Sequence, residues 1–288
     1  MLRLELRPEL AEAYKSRSQQ ARILTESWAG ENLYCPACPS DELLPVPRGE
    51  KVKDFACPDC GEAYQLKSKG HTFGNQVANS AYDDKIDAIR RRTNPSYLFL
   101  QYDPEAMKVV NLFGIPRHFM FESAIQRRKP LSERARRYGW VGSVILLRRL
   151  PEDARIYLVA HGREVPRRSV RDLWKRFSFM LEWPVRSRGW AADVLACVRQ
   201  LGKEEFRLDD VYEFEDHLRG LHPENRNIRP KIRQQLQVLR DCGVIEFLGR
   251  GAYRVMQSCG HQAHQRAMDY GLRSPQTSDQ PHDGRVKL

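Results

Sequence analysis

Hydrophobic residues in the first thirty positions recur at the spacing of one helix face. The apolar positions are Leu10, Tyr14, Ala21, Leu24 and Trp28. Side chains three to four residues apart lie on the same side of a helix, and Pro8 stands where a helix can begin. The pattern predicts one helix over residues 8–29.

The middle of the chain alternates between short apolar runs and helical stretches. Residues 70–79 are rich in Gly, Asn and Ser and predict a loop that leads into a helix at about 77–92. Apolar runs of β-formers bounded by turn residues predict buried strands, at residues 97–102, 109–115, 144–147 and 156–159. A further helix is predicted at 173–179. A helix, strands, a helix and more strands are the order of an α/β fold.

The last third of the chain has the pattern of a winged helix. Helices are predicted at about 190–201, after Phe206 and at about 230–242, followed by a hairpin over 244–255. We place the linker near 181–188, which divides the chain into domains 1–183 and 184–256. The polar tail 257–288 is expected to be disordered, although Cys259, His261 and His264 lie in it.

Composition favours a soluble protein with a polyanionic partner. The 288 residues carry a net charge of +11, and 41% of them are hydrophobic. No run approaches the roughly 18 apolar residues of a membrane span. An excess of basic residues favours nucleic acid as the partner, although many basic proteins bind none.

Four of the seven cysteines form two CxxC pairs, with residues 39–56 between them. The pairs are Cys35 with Cys38 and Cys57 with Cys60, and this spacing is typical of a structural zinc site in a finger at about 34–61. Two disulfides or a redox CxxC are the alternatives. No signal peptide is recognised, and a redox motif does not need a second copy, so we favour zinc.

Asp54, Gln65 and Lys67 flank the second cysteine pair on two short predicted strands, 51–56 and 63–69. Gln65 and Lys67 share a strand face because strand side chains alternate. If Asp54 lies on the neighbouring strand, the three can hold Mg²⁺ and orient a water for phosphodiester hydrolysis. A solvated hairpin remains open as the alternative, because such short motifs occur by chance.

Six stretches of the chain resemble the DpnI family of methyl-directed restriction endonucleases. They are YKSRSQQARILTESW (14–28), YCPAC (34–38), DFACPDCGEAYQLKSK (54–69), RKPLSERARRYGWVG (128–142), SRGWAADVLACV (187–198) and IRPKIRQQLQVLRDCGVIEFLGRGAYR (228–254). The resemblance implies a PD-(D/E)XK nuclease domain with an inserted zinc finger, followed by a winged helix. It also implies cleavage of GATC sites that contain N6-methyladenine.

The same resemblance assigns catalytic roles residue by residue. Asp54 matches the metal-binding Asp of the family and Lys67 its catalytic Lys. Gln65 stands where the family has Glu, which removes one negative charge from the metal site. Glu62 cannot replace it, because it should face the other side of the strand. Glu26, on the first helix, can approach the metal or form a surface salt bridge.

Two segments are predicted to contact DNA. One is basic, with Arg127, Arg128, Lys129, Arg134, Arg136 and Arg137, and ends at Trp140, which matches a family aromatic and would sense the methyl group. Its alternative is a solvated loop with Trp140 in the core. The other is the third helix of the winged helix, whose positions expected to be exposed include Arg229, Lys231, Arg233, Gln234 and Gln235. A winged helix used for protein contacts is the alternative.

These observations predict a monomeric, cytoplasmic endonuclease that cleaves adenine-methylated double-stranded DNA, with structural Zn²⁺ and catalytic Mg²⁺. Two other functions remain open. Gln65 leaves room for a methyl-DNA-binding protein that no longer cuts. The zinc motif and the winged helix also fit a transcription regulator, although a regulator has no need of Asp54 paired with Lys67.

Overall fold

A seven-stranded mixed sheet forms the centre of the first part of the chain in the computed structural model, which describes residues 2–47 and 53–256. The strands of this part are β1 (Leu44–Pro45), β2 (Phe55–Ala56), β3 (Ala63–Lys69), β4 (Gln76–Ala81), β5 (Ser96–Asp103), β6 (Lys108–Ile115), β7 (Ile125–Arg127), β8 (Gly142–Leu146), β9 (Ile156–Ala160) and β10 (Arg163–Glu164). The helices are α1 (Arg17–Asn32), α2 (Tyr82–Arg90) and α3 (Arg167–Arg176). The tail that was expected to be disordered, with Cys259, His261 and His264, lies outside the described residues.

The large sheet has the order β1-β2-β3-β5-β6-β9-β10, and β4-β8-β7 form a separate sheet. β3 and β5 are parallel, with Gln65 opposite Tyr97 and Lys67 opposite Phe99. Paired residues in such a ladder point to the same side, so these four side chains share one face of the sheet. The predicted α/β class is confirmed.

The two faces of the large sheet are covered by different helices. Tyr97 and Phe99 belong to one hydrophobic cluster with Ile86 and Ile89 of α2. Their strand neighbours Leu98 and Leu100 belong to a second cluster, which contains Trp28 of α1 and Trp174 of α3. β5 is therefore buried on both faces, which explains why it is a continuous apolar run rather than an alternating one.

Three predicted helices have different bounds in the structure. The first is interrupted, because Pro8–Ala11 forms a short 3-10 turn before α1 begins at Arg17. In the predicted helix 77–92, residues 76–81 instead form β4, which pairs with β8. Val77 and Asn79 are buried while Gln76 and Ala78 are exposed, the period-2 pattern of a strand. α3 covers 167–176 rather than 173–179.

The last part of the chain is a winged helix, as predicted. Its elements are α4 (Val185–Gln200), β11 (Glu205–Arg207), α5 (Leu208–Tyr212), α6 (Glu215–Leu221), α7 (Ile228–Asp241), β12 (Ile245–Gly249) and β13 (Ala252–Val255). The predicted second helix is divided into α5 and α6. The wing has a third strand, because β11 pairs with β13.

The segment predicted as a linker, 181–188, is mostly helical in the structure. The residues Ser178–Glu182 form a 3-10 turn and α4 begins at Val185. Arg188 is only 2% exposed, and the hydrophobic cluster that contains Phe121 continues into Trp190 of α4. The start of α4 is thus packed against the α/β part of the chain. Among the described residues, we find no helix with the length and hydrophobicity needed to cross a membrane.

Candidate active site

The four cysteines of the two CxxC pairs come together in one cluster. All four sulfurs lie within 4.8 Å of one another. Cys35 Sγ is 3.7 Å from Cys60 Sγ, and Cys38 Sγ is 3.5 Å from Cys57 Sγ. Disulfide sulfurs lie about 2 Å apart, whereas a tetrahedral site with Zn–S bonds of about 2.3 Å separates its sulfurs by roughly 3.8 Å. The cluster therefore has the dimensions of a metal site and is not a pair of disulfides.

Backbone hydrogen bonds shape both cysteine knuckles. The Cys35 N–H donates to the Ser40 carbonyl, and the Cys57 N–H donates to the Glu62 carbonyl. Gly61 has a φ of 70°, a left-handed conformation that glycine adopts without strain, and its N–H donates to the Cys57 carbonyl. Arg171 of α3 donates to the carbonyl groups of the first knuckle, at Cys35, Pro39 and Ser40. These contacts fix the knuckles to the α/β part of the chain.

The second knuckle connects β2 to β3 and thereby positions Asp54. The Asp54 N–H donates to the Tyr64 carbonyl at 2.9 Å, and Asp54 Oδ2 accepts from the Leu66 N–H at 2.8 Å. The Tyr64 hydroxyl lies 3.1 Å from Cys35 Sγ. The cysteine cluster and the Asp54 carboxylate are thus held by the same hairpin.

The structure brings Asp54, Gln65 and Lys67 together at this hairpin. The ladder that pairs Phe55 with Tyr64 places Asp54 beside Gln65. The Gln65 Oε1 atom is buried and has no hydrogen-bond partner among the described residues. A buried carbonyl oxygen without a partner costs free energy unless a ligand occupies it. Gln65 Oε1 and the second carboxylate oxygen of Asp54 are hard oxygen donors of the kind that Mg²⁺ prefers.

The charges around Asp54 are consistent with a site built for a cation. Burial raises the pKa of the Asp54 carboxyl, and the Glu26 carboxylate raises it further, although the Leu66 N–H and Lys67 act in the opposite direction. Burial lowers the pKa of Lys67, against the effect of Asp54. A bound cation would stabilise the ionised Asp54 and lower the pKa that burial raises.

Glu26 lies near the site but is already paired. Its carboxylate is 2.7 Å from Arg22 Nε, one helical turn earlier on α1. Both residues line a cleft of about 880 Å³ whose other wall contains Asp54. The surface salt bridge expected as one alternative is therefore present, on the wall of the cleft that leads to Asp54.

Glu62 does not take the place of the family's Glu. Its carboxylate accepts a hydrogen bond from the Ser96 hydroxyl and forms an ion pair with Arg117 at 3.2 Å. Burial raises its pKa, and these two partners oppose the shift. The prediction that Glu62 is directed away from the metal ligands agrees with these contacts.

Lys85 of α2 lies near these residues, and the sequence did not reveal this position. Its ammonium group lies 5.1 Å from the centre of the Tyr97 ring, and Tyr97 is opposite Gln65 in the sheet. The helix predicted at 77–92 gave no indication of which side of α2 faces the sheet. Only the observed boundary between β4 and α2 places Lys85 over the sheet face that carries Gln65 and Lys67.

The basic segment forms the loop between β7 and β8. Its six Arg and Lys residues are exposed, whereas Trp140 is half-buried. The Trp140 ring lies against Gly142, where a Cβ atom would come within 2.7 Å of it, and the Arg137 guanidinium is 4.9 Å from the ring centre. The charges thus face solvent and Trp140 packs partly against the protein, and contact of this segment with DNA stays a prediction.

The predicted recognition helix corresponds to α7. Arg229, Arg233 and Gln234 are exposed and Lys231 is half-buried, although Arg229 already pairs with Glu215 at 2.6 Å. Gln235 is 3% exposed, so its predicted exposed position is wrong. It directly precedes the fully buried Leu236 and lies on the packed side of α7. The sequence pattern could not resolve it, because Gln is mostly an exposed residue type.

Two family models match the chain. The model of the DpnI family, described as the Dam-replacing family, matches residues 2–183. The model of its C-terminal domain, described as the Dam-replacing HTH domain, matches residues 186–255. The first match includes the cysteine cluster, Asp54, Gln65 and Lys67, and the second includes α7.

Proposed function

This chain belongs to the DpnI family, and we propose that it is a methyl-directed DNA endonuclease that cleaves double-stranded DNA at GATC sites containing N6-methyladenine. The observation that carries this proposal is the convergence of Asp54, Gln65 and Lys67 beside a cysteine cluster on one hairpin. A DNA-binding regulator does not require that arrangement.

Asp54 and Gln65 would hold the catalytic Mg²⁺ in this proposal. The partnerless Oε1 of Gln65 and the buried carboxylate of Asp54 supply two oxygen ligands on adjacent strands. When bound, Mg²⁺ supplies Lewis-acid stabilisation of the phosphate and lowers the pKa of a bound water. Gln65 contributes no charge, so we expect weaker metal binding than with Glu at this position.

Lys67 would stabilise the reacting phosphate. It lies two residues from Gln65 on the same face of β3, where burial makes its charge act over a short, poorly screened distance. An ammonium group in this position attracts the attacking hydroxide and the developing negative charge on the phosphate oxygens. The Asp54 hydrogen bond to Leu66 keeps the carboxylate in place while this happens.

The cysteine cluster would bind one structural Zn²⁺. All four ligand positions are filled by Cys sulfurs, so no position is left for a substrate or a water. Zinc would stabilise the hairpin that carries Asp54, because the same turn contains Cys57 and Cys60.

Recognition of the methylated site would be shared between two elements. The basic loop with Arg136 and Arg137 would contact phosphates, and Trp140 would favour the apolar methyl group in the major groove. Arg233 and Gln234 of α7 would contact bases or phosphates of the same site. Each element presents exposed donors, which supports the proposal.

Cleavage of a methylated GATC duplex with Mg²⁺ tests the catalytic assignment. We expect Lys67→Met to abolish cleavage while duplex binding in Ca²⁺ is retained. Lys175→Met, which changes an exposed lysine of α3, is the matched control and should cut like the parent. Equal cleavage by Lys67→Met and the parent would refute the assignment. Binding without cleavage by the parent would instead support a methyl-DNA-binding protein with a weakened metal site.

A further inference from the structure

Lys85 is a buried lysine without a polar partner. The residue is 1% exposed, and its Nζ makes no hydrogen bond within the described part of the chain. Its only described attraction is to the ring of Tyr97, 5.1 Å away. Buried lysines are rare because removing an ammonium group from water is costly unless an anion compensates it.

The position of Lys85 relates it to the catalytic residues. Tyr97, which it covers, lies opposite Gln65, and Lys67 is two residues further along β3. Burial and, second, the positive charge of Lys67 lower the pKa of Lys85 to about 8. The two ammonium groups are thus close enough to repel each other, and no carboxylate of the described residues offsets this repulsion in the pKa of Lys85.

Other polar atoms on this face also lack partners. Gln65 Oε1 and Asn79 Oδ1 are buried without a hydrogen bond among the described residues. The Asn79 amide donates to the Tyr97 hydroxyl at 2.9 Å, which fixes the ring beneath Lys85. A cluster of unsatisfied polar groups around a catalytic site is the pattern expected where a charged ligand completes the structure.

We propose that Lys85 is a second phosphate-binding lysine of the active site, whose ammonium group contacts a non-bridging oxygen of a DNA phosphodiester at the cleavage site. This inference rests on the proposed endonuclease function. Because Gln65 is neutral and the nearby Glu26 is paired with Arg22, Asp54 is the one unpaired carboxylate beside the two lysines among the described residues. The phosphate would therefore supply the anion that this face of the protein does not provide.

Contact with DNA requires the Lys85 side chain to turn toward Lys67. Its four-carbon chain has the rotational freedom to do so, and the gain is an ion pair between the ammonium group and the phosphate. The burial of this ammonium group should also lower the stability of the DNA-free protein. Lys85→Met keeps the length and the packing of the side chain but removes the charge, so it should raise the Tm of the DNA-free protein.

Duplexes with one neutral methylphosphonate link test the proposal without cleavage. Each phosphate of a methylated GATC site is replaced in turn, and binding is measured in Ca²⁺. For the parent protein, the neutral link at the contacted phosphate should weaken binding by about tenfold. For Lys85→Met, that penalty should become smaller at this phosphate, where Lys67 and the metal ion still act, and stay unchanged at the others.

Two further variants complete the experiment. Lys85→Arg keeps the charge and should retain the penalty, and Lys175→Met should behave like the parent at every phosphate. Equal penalties for the parent and Lys85→Met at all phosphates would overturn the role of Lys85 while leaving the endonuclease function intact. Failure of the parent to bind the methylated duplex would overturn both.

Discussion

Asp54 and Leu66 are joined by a hydrogen bond in which the Leu66 N–H donates to Asp54 Oδ2 over 2.8 Å. Leu66 stands between Gln65 and Lys67 on β3, so this bond holds the carboxylate beside both of the other catalytic candidates. The strand that donates this bond, β3, follows directly from the second cysteine knuckle. The arrangement of the site therefore depends on the fold of the hairpin rather than on contacts among the catalytic side chains themselves.

Replacing Asp54 by asparagine should stabilise the protein and abolish cleavage. Burial raises the pKa of Asp54 above its unfolded value, so the folded protein holds the proton more tightly than the unfolded chain. The ionised carboxylate consequently destabilises the metal-free fold at neutral pH and does so less as the pH falls. We expect Asp54→Asn to raise the Tm at about pH 8 and to raise it less at about pH 5.

Thermal denaturation without added Mg²⁺ measures this effect. Adding Mg²⁺ should raise the Tm of the parent and leave that of Asp54→Asn unchanged. A lower Tm for Asp54→Asn at neutral pH would contradict this expectation, because it would show that the ionised carboxylate stabilises the metal-free fold.

The Gln65→Glu variant should need less Mg²⁺ than the parent. It adds one negative charge at an oxygen that has no hydrogen-bond partner among the described residues, so metal binding should tighten. We expect the Mg²⁺ concentration for half-maximal cleavage to fall by about tenfold. Gln200→Glu makes the same change at the exposed end of α4 and should have no effect. An unchanged Mg²⁺ requirement in Gln65→Glu would exclude this residue as a metal ligand.

The cysteine cluster should contain one equivalent of zinc. Elemental analysis of the purified protein measures the content directly. Cys57→Ser should lose zinc, lower the Tm and abolish cleavage, because Cys57 belongs to the turn that positions Asp54. Cys242→Ser changes a half-buried cysteine outside the cluster and should keep the full zinc content. Retention of zinc by Cys57→Ser would contradict the four-cysteine site.

Much of this architecture can be predicted from the sequence, because its strongest signals are local. The CxxC spacing predicts the cysteine cluster, and the apolar run at 97–102 predicts β5. Lys85 and Gln235 could not be placed in this way. Their burial depends on which side of α2 and of α7 meets the rest of the protein, and this is decided by tertiary packing rather than by residue type.

The boundary between β4 and α2 also could not be predicted from local sequence. Residues 76–81 alternate between exposed and buried positions in the structure, but Val77 is the only large apolar residue among them. The strand is stabilised by its pairing with β8, more than sixty positions away. Such a long-range partner leaves little trace in local sequence.

Trp140→Ala should reduce the preference for methylated DNA more than it reduces DNA binding itself. The neighbouring arginines would keep the proposed phosphate contacts, whereas the apolar surface proposed for the methyl group would be lost. We expect the ratio of affinities for methylated and unmethylated duplex to fall by about tenfold. Equilibrium binding in Ca²⁺ measures the ratio. An unchanged ratio of the two affinities in Trp140→Ala would assign methyl recognition to another element.

Arg233→Ala should weaken DNA binding. If Arg233 contacts a phosphate, the loss should be similar for every duplex, and if it contacts a base, the loss should depend on the sequence at one base pair. The salt dependence of binding distinguishes these two cases. If Arg233 contacts a phosphate, the slope of log affinity against log salt should decrease by about one. Arg219→Ala alters an exposed arginine of α6 that pairs with Glu215 and Asp216, and it serves as the control. Unchanged affinity in Arg233→Ala would count against α7 as the recognition helix.

Cleavage of one plasmid in two forms is the most direct test of whether the protein is a methyl-directed endonuclease. One form carries N6-methyladenine at its GATC sites and the other carries none, and each is incubated with the purified protein and Mg²⁺. We expect that only the methylated form is cut, at its GATC sites. Cleavage of both forms alike, or of neither form with Mg²⁺ or Mn²⁺, would contradict a methyl-directed endonuclease.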